Sequence, residues 1–248
     1  MSITKENFMP PSNLPPQKGC LGKIFFGLRV FADLPIASVL FYLKPWLKSQ
    51  KGKILEVGCG AQPYRHMLNA DCVYTGLDWV GAQSNFKYKV PDTIYYDGKK
   101  FPYGDNSFDA VLHTEVLEHI WDYKEFLSEC LRVLKKDGKM FFAIPFSVRY
   151  HYIPHDFWRF TPAALERILK EAGFREIIIK SRGSDITVLM YKFISLVYRW
   201  LFSRTLMIVL GAILLPFVLL PLIIAHCSIG FNVGSCDDCI GYVVNARK

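Results

Sequence analysis

The sequence lacks the cysteine pattern of a secreted disulfide framework and that of a zinc finger. Its seven cysteines are odd in number and scattered, so we expect a reducing compartment. The one close pair, Cys236 and Cys239, has no second pair at zinc-finger spacing, and no structural zinc site is expected there. The first 19 residues are polar and rich in proline, without the apolar core of a cleaved signal peptide, and they predict a disordered tail.

The chain also lacks the composition of a membrane-helix bundle. Hydrophobic residues make up 51% of its 248 residues, which is high for a cytosolic enzyme but low for several membrane helices. The formal net charge is +8, and the first fifty residues hold six basic against two acidic side chains. This bias favours an acidic surface as partner, and the combination predicts a globular protein that touches a membrane.

Residues 20–50 contain an apolar stretch, Ile24 to Leu43, which Arg29, Asp33 and Pro35 interrupt. Charges and a proline at these positions disfavour a membrane span. We expect a pair of amphipathic N-terminal helices here.

From residue 51 onward, short apolar strands alternate with helical segments. Asp122 and Thr161 are predicted N-caps of two helices, and Gly138 and Gly173 the glycines that end them. The alternation predicts an α/β fold over residues 51–184, a doubly wound and mostly parallel sheet with helices on both faces. Strands are predicted at "KILEV", "CVYTGLDW", "TIYY", "FDAVLH", "KMFFAIP" and "FREIIIKS".

Such sheets bind their ligands beyond the carboxyl ends of the strands. Gly58 and Gly60 follow the first strand; without a Cβ, their backbone N–H groups can approach a ligand, and a helix predicted after them would add its positive dipole end. Asp78 ends the second strand, where a carboxylate can accept hydrogen bonds from ribose hydroxyls. Asp97 with Gly98 ends the third, placed to accept from an exocyclic amine. Each acid alone could be a solvated turn residue, but three strand ends together predict a nucleotide-type site.

Five segments together resemble class I S-adenosylmethionine-dependent methyltransferases of the type 11 group: "ILEVGCGAQPY", "GLD", "YYDG", "FPYGDNSFDAVLHTEVLEHI" and "LRVLKKDGKMFFAIP". The resemblance covers residues 51–182. It implies a Rossmann-like sheet of seven strands in the order 3-2-1-4-5-7-6, with strand seven antiparallel, and S-adenosyl-L-methionine as the cofactor.

The resemblance also implies which residues hold the cofactor. Glu56, Gly58 and Gly60 would surround its methionine part, and Asp78 its ribose. The remaining implied contacts are Asp97 and Gly98 near the adenine, and His113, Thr114 and Glu115 on the sulfonium side.

Methyl transfer from a sulfonium is an in-line displacement, so positioning of the two reactants lowers much of the barrier. A hydroxyl acceptor would still need a general base. The candidates are His119 in "EVLEH" and His151, His155 or Asp156 in "RYHYIPHDFWRF". The second stretch follows strand five, where the resemblance implies the acceptor pocket.

A divalent metal ion is an alternative to a side-chain base. Glu115, Glu118 and His119 form an "ExxEH" arrangement, similar to that of some metal-dependent O-methyltransferases, and His151 or His155 could complete it. The same "EVLEH" is common in type 11 members for which no metal is implied. We therefore assign no metal ligand from the sequence.

An uncharged run of 21 residues extends from Thr205 to Ala225, and as a helix it would be about 31 Å long, close to one bilayer core. The "DDCIGYVVNARK" that follows resembles the family's last strand, so both ends of the run must lie on one side of the membrane. Pro216 and Pro221 predict two shorter helices that dip into one leaflet and return. We expect residues 185–227 to be a membrane-associating helical insertion and residues 228–248 to return to the sheet. A buried helical cap and a span with two crossings are the alternatives.

These features predict methyl transfer from S-adenosyl-L-methionine to a lipid-linked or amphipathic acceptor, such as an envelope glycan intermediate, a quinone or a polyprenyl-linked sugar. The predicted location is the cytoplasmic side of a membrane, as a peripheral or monotopic protein. A metal-dependent RNA O-methyltransferase and a non-catalytic membrane adaptor that binds the cofactor are the alternatives. The basic residues cluster beside apolar stretches and form no aromatic-lined groove, so nucleic acid is not the expected partner.

Overall fold

The computed structural model describes residues 13–82, 90–203 and 206–248. Residues 1–12 of the predicted tail and Thr205 of the uncharged run therefore lie outside the described residues. Residues 13–19 form no helix or strand, although Asn13 donates a hydrogen bond to the Tyr64 hydroxyl at 3.1 Å.

The sheet has seven strands and the predicted topology. The bounds are β1 Gly52–Val57, β2 Cys72–Trp79, β3 Thr93–Tyr96, β4 Phe108–Thr114, β5 Leu134–Pro145, β6 Arg175–Arg182 and β7 Gly241–Arg247. They pair in the order β3-β2-β1-β4-β5-β7-β6. β1 to β5 are parallel, and β7 is antiparallel to both β5 and β6. The predicted fold class is confirmed.

Helices cover both faces of the sheet. Their bounds are α1 Cys20–Ala32, α2 Leu34–Lys48, α3 Tyr123–Val133, α4 Pro162–Ala172, α5 Asp185–Leu201, α6 Met207–Leu214 and α7 Leu219–Phe231. One large core lies between the sheet and α3 and α4. The N-terminal pair α1 and α2 occupies the predicted segment, and α2 packs on the opposite face of the central strands.

Local capping signals position α3 and α4 as predicted. Asp122 accepts a hydrogen bond from the Glu125 N–H at 3.2 Å, and Thr161 accepts one from Ala164. Gly173 ends α4 in the left-handed conformation, which glycine adopts at low cost. These three predictions are confirmed, because a cap depends on residues close in sequence.

The predictions for Gly138 and for a helix after the glycine turn are wrong. Leu134 already has extended backbone and pairs with Phe108, so α3 ends at Val133 and Gly138 lies inside β5. Between Gly60 and β2, the described chain forms only a 3₁₀ turn, Arg65–Met67. Gly58, Gly60 and Gln62 all have positive φ, which is incompatible with a right-handed helix starting at the turn.

The chain between β6 and β7 forms a helical hairpin, by which we mean α5 together with the segment 207–231. A 3₁₀ turn, Leu215–Val218, joins α6 to α7, and the segment Met207–Phe231 is one continuous helical run of 25 residues. At the base, Thr187 and Ser228 hydroxyls lie 2.8 Å apart. At the tip, Gly211 is so close to Leu201 that a Cβ there would lie 2.5 Å from the Leu201 nitrogen.

The prediction that the uncharged run itself turns back at its prolines is therefore wrong. Pro216 and Pro221 lie in the first residues of the 3₁₀ turn and of α7, where a missing N–H costs little. The reversal lies instead between α5 and α6. The predicted end of the insertion at residue 227 also falls inside α7, which continues to Phe231.

By length and composition, one helix among the described residues, Met207–Phe231, could cross a membrane. Only 17% of its most apolar 18-residue window is buried. The helices α1 and α2 pass the same test as a pair, but they are bent by 111°. Core helices of soluble proteins pass this test while being mostly buried, and this one is mostly exposed.

Candidate active site

The carboxyl end of β1 carries a buried acid and a turn that only small residues fit. The Tyr74 hydroxyl donates a hydrogen bond to Glu56 Oε2 at 2.5 Å. Burial raises the pKa of Glu56 to about 8. The negative charge of Asp78 adds to this increase, and the hydrogen bond from Tyr74 opposes it. Gly58 has a φ of 66°, and a Cβ on it would lie 2.4 Å from Val116 Cγ2.

The ends of β1 and β2 meet through Asp78. The Gly60 N–H donates to Asp78 Oδ2 at 3.0 Å, and the Trp79 N–H donates to Oδ1 at 2.8 Å. The Asp78 side chain therefore holds the glycine turn against the end of β2. This is the convergence of strand ends that the sequence predicts.

The end of β3 differs in exposure. Asp97 is exposed and accepts a hydrogen bond from the Lys99 N–H at 3.0 Å, as a turn residue does. Gly98 has a φ of 88°, and a Cβ on it would lie 3.2 Å from Trp79 Cδ1. The Trp79 indole, 40% exposed, thus lies over Gly98. Sequence reasoning missed Trp79; the signal was an aromatic residue directly after the acid that ends a strand.

His113 lies in the core, away from any opening of the site. Its ring stacks on Phe142 at 4.6 Å between centroids and meets the edge of Phe126. The side chain is fully buried, and this burial lowers the pKa of His113 to about 3. From the resemblance, we expect His113 to line the sulfonium side. In the structure, the His113 side chain in β4 points instead to the face of the sheet that α3 covers. Thr114, on the opposite face, hydrogen-bonds Tyr64.

Glu115 and Arg182 form an ion pair across the carboxyl edge of the sheet. The Arg182 Nη1 lies 2.8 Å from Glu115 Oε1, and the arginine side chain is fully buried. Glu115 follows β4 with a φ of 55°, which turns its side chain away from the strand direction. Sequence reasoning missed Arg182, because its partner is 67 positions away in the chain.

His119 and Glu118 lie in a 3₁₀ turn, Leu117–His119, after β4. The His119 Nδ1 donates to the carbonyl oxygen of His155 at 2.6 Å, and its Nε2 lies 3.6 Å from Glu118 Oε1. Burial lowers the pKa of His119 to about 4 and raises that of Glu118 well above its usual range. His119 is therefore neutral at neutral pH.

The segment 146–160 after β5, called here the acceptor loop, brings His151 and Asp156 to His119. The His151 Nδ1 lies 3.0 Å from Asp156 Oδ2, and Arg159 bonds both oxygens of this carboxylate at 2.6 and 2.7 Å. Burial acts against ionisation, but hydrogen bonds from His151 and Arg159 hold the pKa of Asp156 well below its usual range. The His119 and His151 ring centroids are 5.1 Å apart.

Three of the four predicted catalytic residues are thus close together. The side chain of His155 is the exception: it is exposed, 6.3 Å from the Trp79 ring between centroids, and only its backbone carbonyl joins the cluster. Arg159 binds both oxygens of Asp156, and the low pKa of this carboxyl makes it a weak base. Asp156 instead orients His151, so His151 is better placed than Asp156 to act as the base. These catalytic roles stay predictions.

Comparisons with known proteins support a methyltransferase domain. Residues 55–142 match the family model described as a methyltransferase domain, that of the type 11 group. A protein of Mycolicibacterium smegmatis named "Probable S-adenosylmethionine-dependent methyltransferase" is 31% identical over 132 residues, 49% of this chain and 51% of the relative. A phthiotriol/phenolphthiotriol dimycocerosates methyltransferase of Mycobacterium tuberculosis is 32% identical over 94 residues, 35% of each chain.

A solved methyltransferase from Archaeoglobus fulgidus shares the fold. It superposes with a TM-score of 0.56 at 16% identity and covers 91% of this chain and 99% of its own. The sheet order and the antiparallel β7 are those of class I S-adenosylmethionine-dependent methyltransferases. Residues 55–142 match the methyltransferase-domain model of the type 11 group. The chain spans about half the length of the first curated relatives that it matches.

The residues present fit S-adenosyl-L-methionine, the cofactor of this domain. Gly58 packs so closely against Val116 that a Cβ would not fit, and Gly60, two residues further on, is held in place by Asp78. The Asp78 carboxylate, 5% exposed, can accept hydrogen bonds from ribose hydroxyls, and the Glu56 carboxyl can pair with the ammonium of the methionine part. When bound, the cofactor supplies an activated methyl group on sulfur.

Proposed function

We propose that the protein transfers the methyl group of S-adenosyl-L-methionine to a lipid-linked or amphipathic acceptor at a membrane surface. The observation that carries this proposal is the contact between the acceptor loop and the helical hairpin. Val148 of the loop packs against the apolar cluster of α5 and α7, which contains Val188 and Leu222. It lies only three residues before His151. The candidate base His151 therefore lies close in the chain to the segment that packs on the hairpin, and this places the candidate acceptor site next to the elements that we propose seat the protein on the membrane.

The exposed face of the hairpin supports seating on a bilayer. Monomeric soluble proteins rarely expose contiguous apolar patches of more than a few hundred Å². Helix α1 adds exposed Leu21, Ile24, Phe25 and Leu28, near the basic residues of the N-terminal fifty. Along α6, the 3₁₀ turn and α7, the hairpin exposes these large apolar side chains: Ile208, Val209, Leu210, Ile213, Phe217, Leu219, Leu220, Ile223 and Ile224.

An aromatic surface on and beside the acceptor loop supports an amphipathic acceptor. Trp121 is 68% exposed and stacks on Trp158 of the acceptor loop at 5.5 Å between centroids. Phe157 meets its edge at 5.4 Å. Indole rings suit the boundary between apolar and polar surroundings, because one edge carries an N–H and the rest is apolar. The relative named for phthiotriol and phenolphthiotriol dimycocerosates points to the same class of acceptor.

The chemistry requires little beyond positioning and removal of one proton. The sulfonium leaving group is already activated, so holding the acceptor atom about 3 to 3.5 Å from the methyl carbon lowers much of the barrier. For a hydroxyl acceptor, Nε2 of His151 can accept the proton, and Asp156, 3.0 Å from its Nδ1, would stabilise the positive charge that forms.

The test is a methyl-transfer assay that offers several acceptor classes at once. Detergent-purified protein is reconstituted into phospholipid vesicles and incubated with methyl-labelled S-adenosyl-L-methionine and separate fractions of membrane lipids, water-soluble sugars and RNA. We expect label in the lipid fraction, and its loss with His151→Ala while cofactor affinity is kept. Label confined to RNA would support the RNA alternative. Cofactor binding without label in any fraction would support the non-catalytic adaptor.

A second arm tests the role of the hairpin. The triple variant Ile213→Asp, Phe217→Asp and Leu220→Asp places charges on its exposed face. We expect it to lose vesicle flotation and lipid methylation while keeping cofactor affinity. The matched control places the same charges at exposed aliphatic positions of the sheet, with Val73→Asp, Ile94→Asp and Ile178→Asp. Equal loss of flotation in both variants would contradict the proposed membrane surface.

A further inference from the structure

Glu118, His119 and His151 form a cluster in which three hydrogen-bond acceptors converge. One oxygen of Glu118 and one ring nitrogen of each histidine all lie within 4.8 Å of one another. Glu118 is fully buried, and neither of its carboxylate oxygens receives a hydrogen bond from another described residue. A buried carboxyl group without a donor is costly unless a cation or a proton compensates it.

The surroundings of His119 fix which of its nitrogens is free. Its Nδ1 lies 2.6 Å from the carbonyl oxygen of His155, which can only accept, so Nδ1 carries the hydrogen. The Nε2 lone pair is left facing Glu118 Oε1 at 3.6 Å. A backbone carbonyl on the far nitrogen is an arrangement that orients a histidine for metal binding.

The surroundings of His151 also fix which of its ring nitrogens carries the hydrogen. Its Nδ1 lies 3.0 Å from both the Arg149 carbonyl oxygen and Asp156 Oδ2, two acceptors. Nδ1 therefore carries the hydrogen, and Nε2 keeps its lone pair. A carboxylate behind a histidine raises the basicity of the ring as a ligand, and Arg159 in turn fixes that carboxylate.

From this convergence of two oriented imidazoles and one donor-free carboxylate, we propose that Glu118, His119 and His151 bind a divalent transition-metal ion of the Zn²⁺ class. Two nitrogens and one oxygen match the ligand preference of such ions. The proposal departs from the sequence-based assignment of no metal and from its wider candidate set, because Glu115 is paired with Arg182 and the His155 side chain is exposed.

The geometry requires only a modest contraction. Ligands of a tetrahedral ion at about 2.1 Å lie about 3.4 Å apart, close to the 3.6 Å between His119 and Glu118. His151 would move inward by on the order of 1 Å. Three protein ligands leave a fourth position open, beside the acceptor loop, for an oxygen of water or of the acceptor. With an ion bound, His151 is a ligand and no longer the base, and the ion would instead lower the pKa of a hydroxyl at that fourth position.

Binding is tested on the full-length protein after removal of metals with a chelator. Equilibrium dialysis against Zn²⁺ is expected to give one ion per chain, and Co²⁺ is expected to produce visible absorption bands from nitrogen and oxygen ligation. Glu118→Gln, which keeps the shape of the side chain, and His151→Ala should each weaken Zn²⁺ binding at least tenfold. Asp156→Asn should weaken it about 10- to 100-fold by loosening His151.

The matched control is His66→Ala, an exposed histidine far from the cluster along the chain, which should bind one ion like the wild type. The dialysis is repeated with Cys236→Ser, because this exposed thiol could bind zinc by itself. An ion bound equally by the wild type and by Glu118→Gln would overturn the proposal. So would the absence of binding in the wild type, which would leave a proton shared between Glu118 and His119. Neither result bears on the identity of the methyl acceptor.

Discussion

Glu56 and Asp78 are two buried acids at the cofactor end of the site with different surroundings. Asp78 accepts two backbone N–H bonds, which tie its position to the glycine turn. Glu56 accepts one from Tyr74 and lies in a region that raises its pKa to about 8. Asp78 is therefore part of the turn, whereas Glu56 is protonated at neutral pH in the cofactor-free protein.

Replacing Asp78 with Ala should weaken cofactor binding by about 10- to 100-fold, because hydrogen bonds to a charged group contribute roughly 1.5 to 3 kcal/mol. Isothermal titration calorimetry with S-adenosyl-L-methionine measures the change. Asp71→Ala, just before β2 at the opposite end of the same strand, is the control and should bind as the wild type. An affinity unchanged in Asp78→Ala would refute this cofactor assignment.

Cofactor binding should release about one proton at pH 7. The pKa of Glu56 in the free protein is about 8, so its carboxyl is mostly protonated at pH 7. Pairing with the cofactor's ammonium favours the ionised form, and the proton leaves. Calorimetry in buffers of different ionisation enthalpy measures the release, which Glu56→Gln should abolish and the exposed Glu125→Gln should keep. Release that persists in Glu56→Gln would assign the proton to another group.

At the scale of elements, the hairpin is held by close contact at its tip and by hydroxyl groups at its base. Gly211 lets α6 approach the backbone of α5, and Ser184, Thr187 and Ser228 join the other end through hydroxyl contacts at 2.8 Å and a backbone bond from Ser184 to Thr187. Small residues at one end and hydroxyls at the other are how apolar helices pair where burial from water contributes little. The hairpin is therefore built as a paired unit.

Gly211→Ala should destabilise the hairpin by about 1 to 3 kcal/mol, because the added Cβ would lie 2.5 Å from the Leu201 nitrogen. Gly230→Ala is the matched control: a Cβ there meets nothing within 4 Å, and the helix gains up to about 1 kcal/mol in propensity. Thermal unfolding in detergent should therefore show a lower Tm for the first and an equal or higher Tm for the second. A similar rise for both would mean that α5 and α6 do not touch at Gly211.

Predictions at the element scale succeeded where the signal was local. Asp122, Thr161 and Gly173 act within one helical turn of their own positions. Gly138 failed because a distant strand decided it: pairing of Leu134 with Phe108 ends α3 earlier than the glycine suggests. The helix after the glycine turn failed because three residues with positive φ wrap the turn around Asp78 instead.

At the scale of the whole molecule, the N-terminal helices pack against the helical hairpin. Leu34 at the start of α2 packs in the same cluster as Val188 and Val197 of α5 and Leu222 of α7, so the N-terminal pair and the hairpin form one body. The His226 ring stacks on Phe31 of α1 at 4.7 Å between centroids. The exposed apolar side chains of α1 and of the hairpin, and the basic residues of the N-terminal helices, therefore lie on helices that pack against each other.

Vesicle binding should have two separable parts. Binding to uncharged phosphatidylcholine vesicles should be the same at about 0.1 M and 1 M salt, because the apolar side chains of the hairpin supply it. The extra affinity for anionic vesicles comes from exposed basic residues. It should fall several-fold, because the Debye length shortens from about 10 Å to about 3 Å and screens their charges. Flotation assays measure both. Release from uncharged vesicles at high salt would contradict an apolar anchor.

The sequence by itself predicted the alternation of strands and helices and the residues at the carboxyl ends of the strands, and its resemblance to the methyltransferase family implied the strand order. Alternating strands, glycine turns and caps are local patterns, and a parallel sheet brings strand ends to one edge. The tertiary structure decided how these residues meet. His113 is buried because β4 turns it toward Phe126 and Phe142, Glu115 pairs with an arginine from β6, and the uncharged run packs on α5 and does not fold back on itself. Each depends on partners far along the chain, and local patterns carry no information about those.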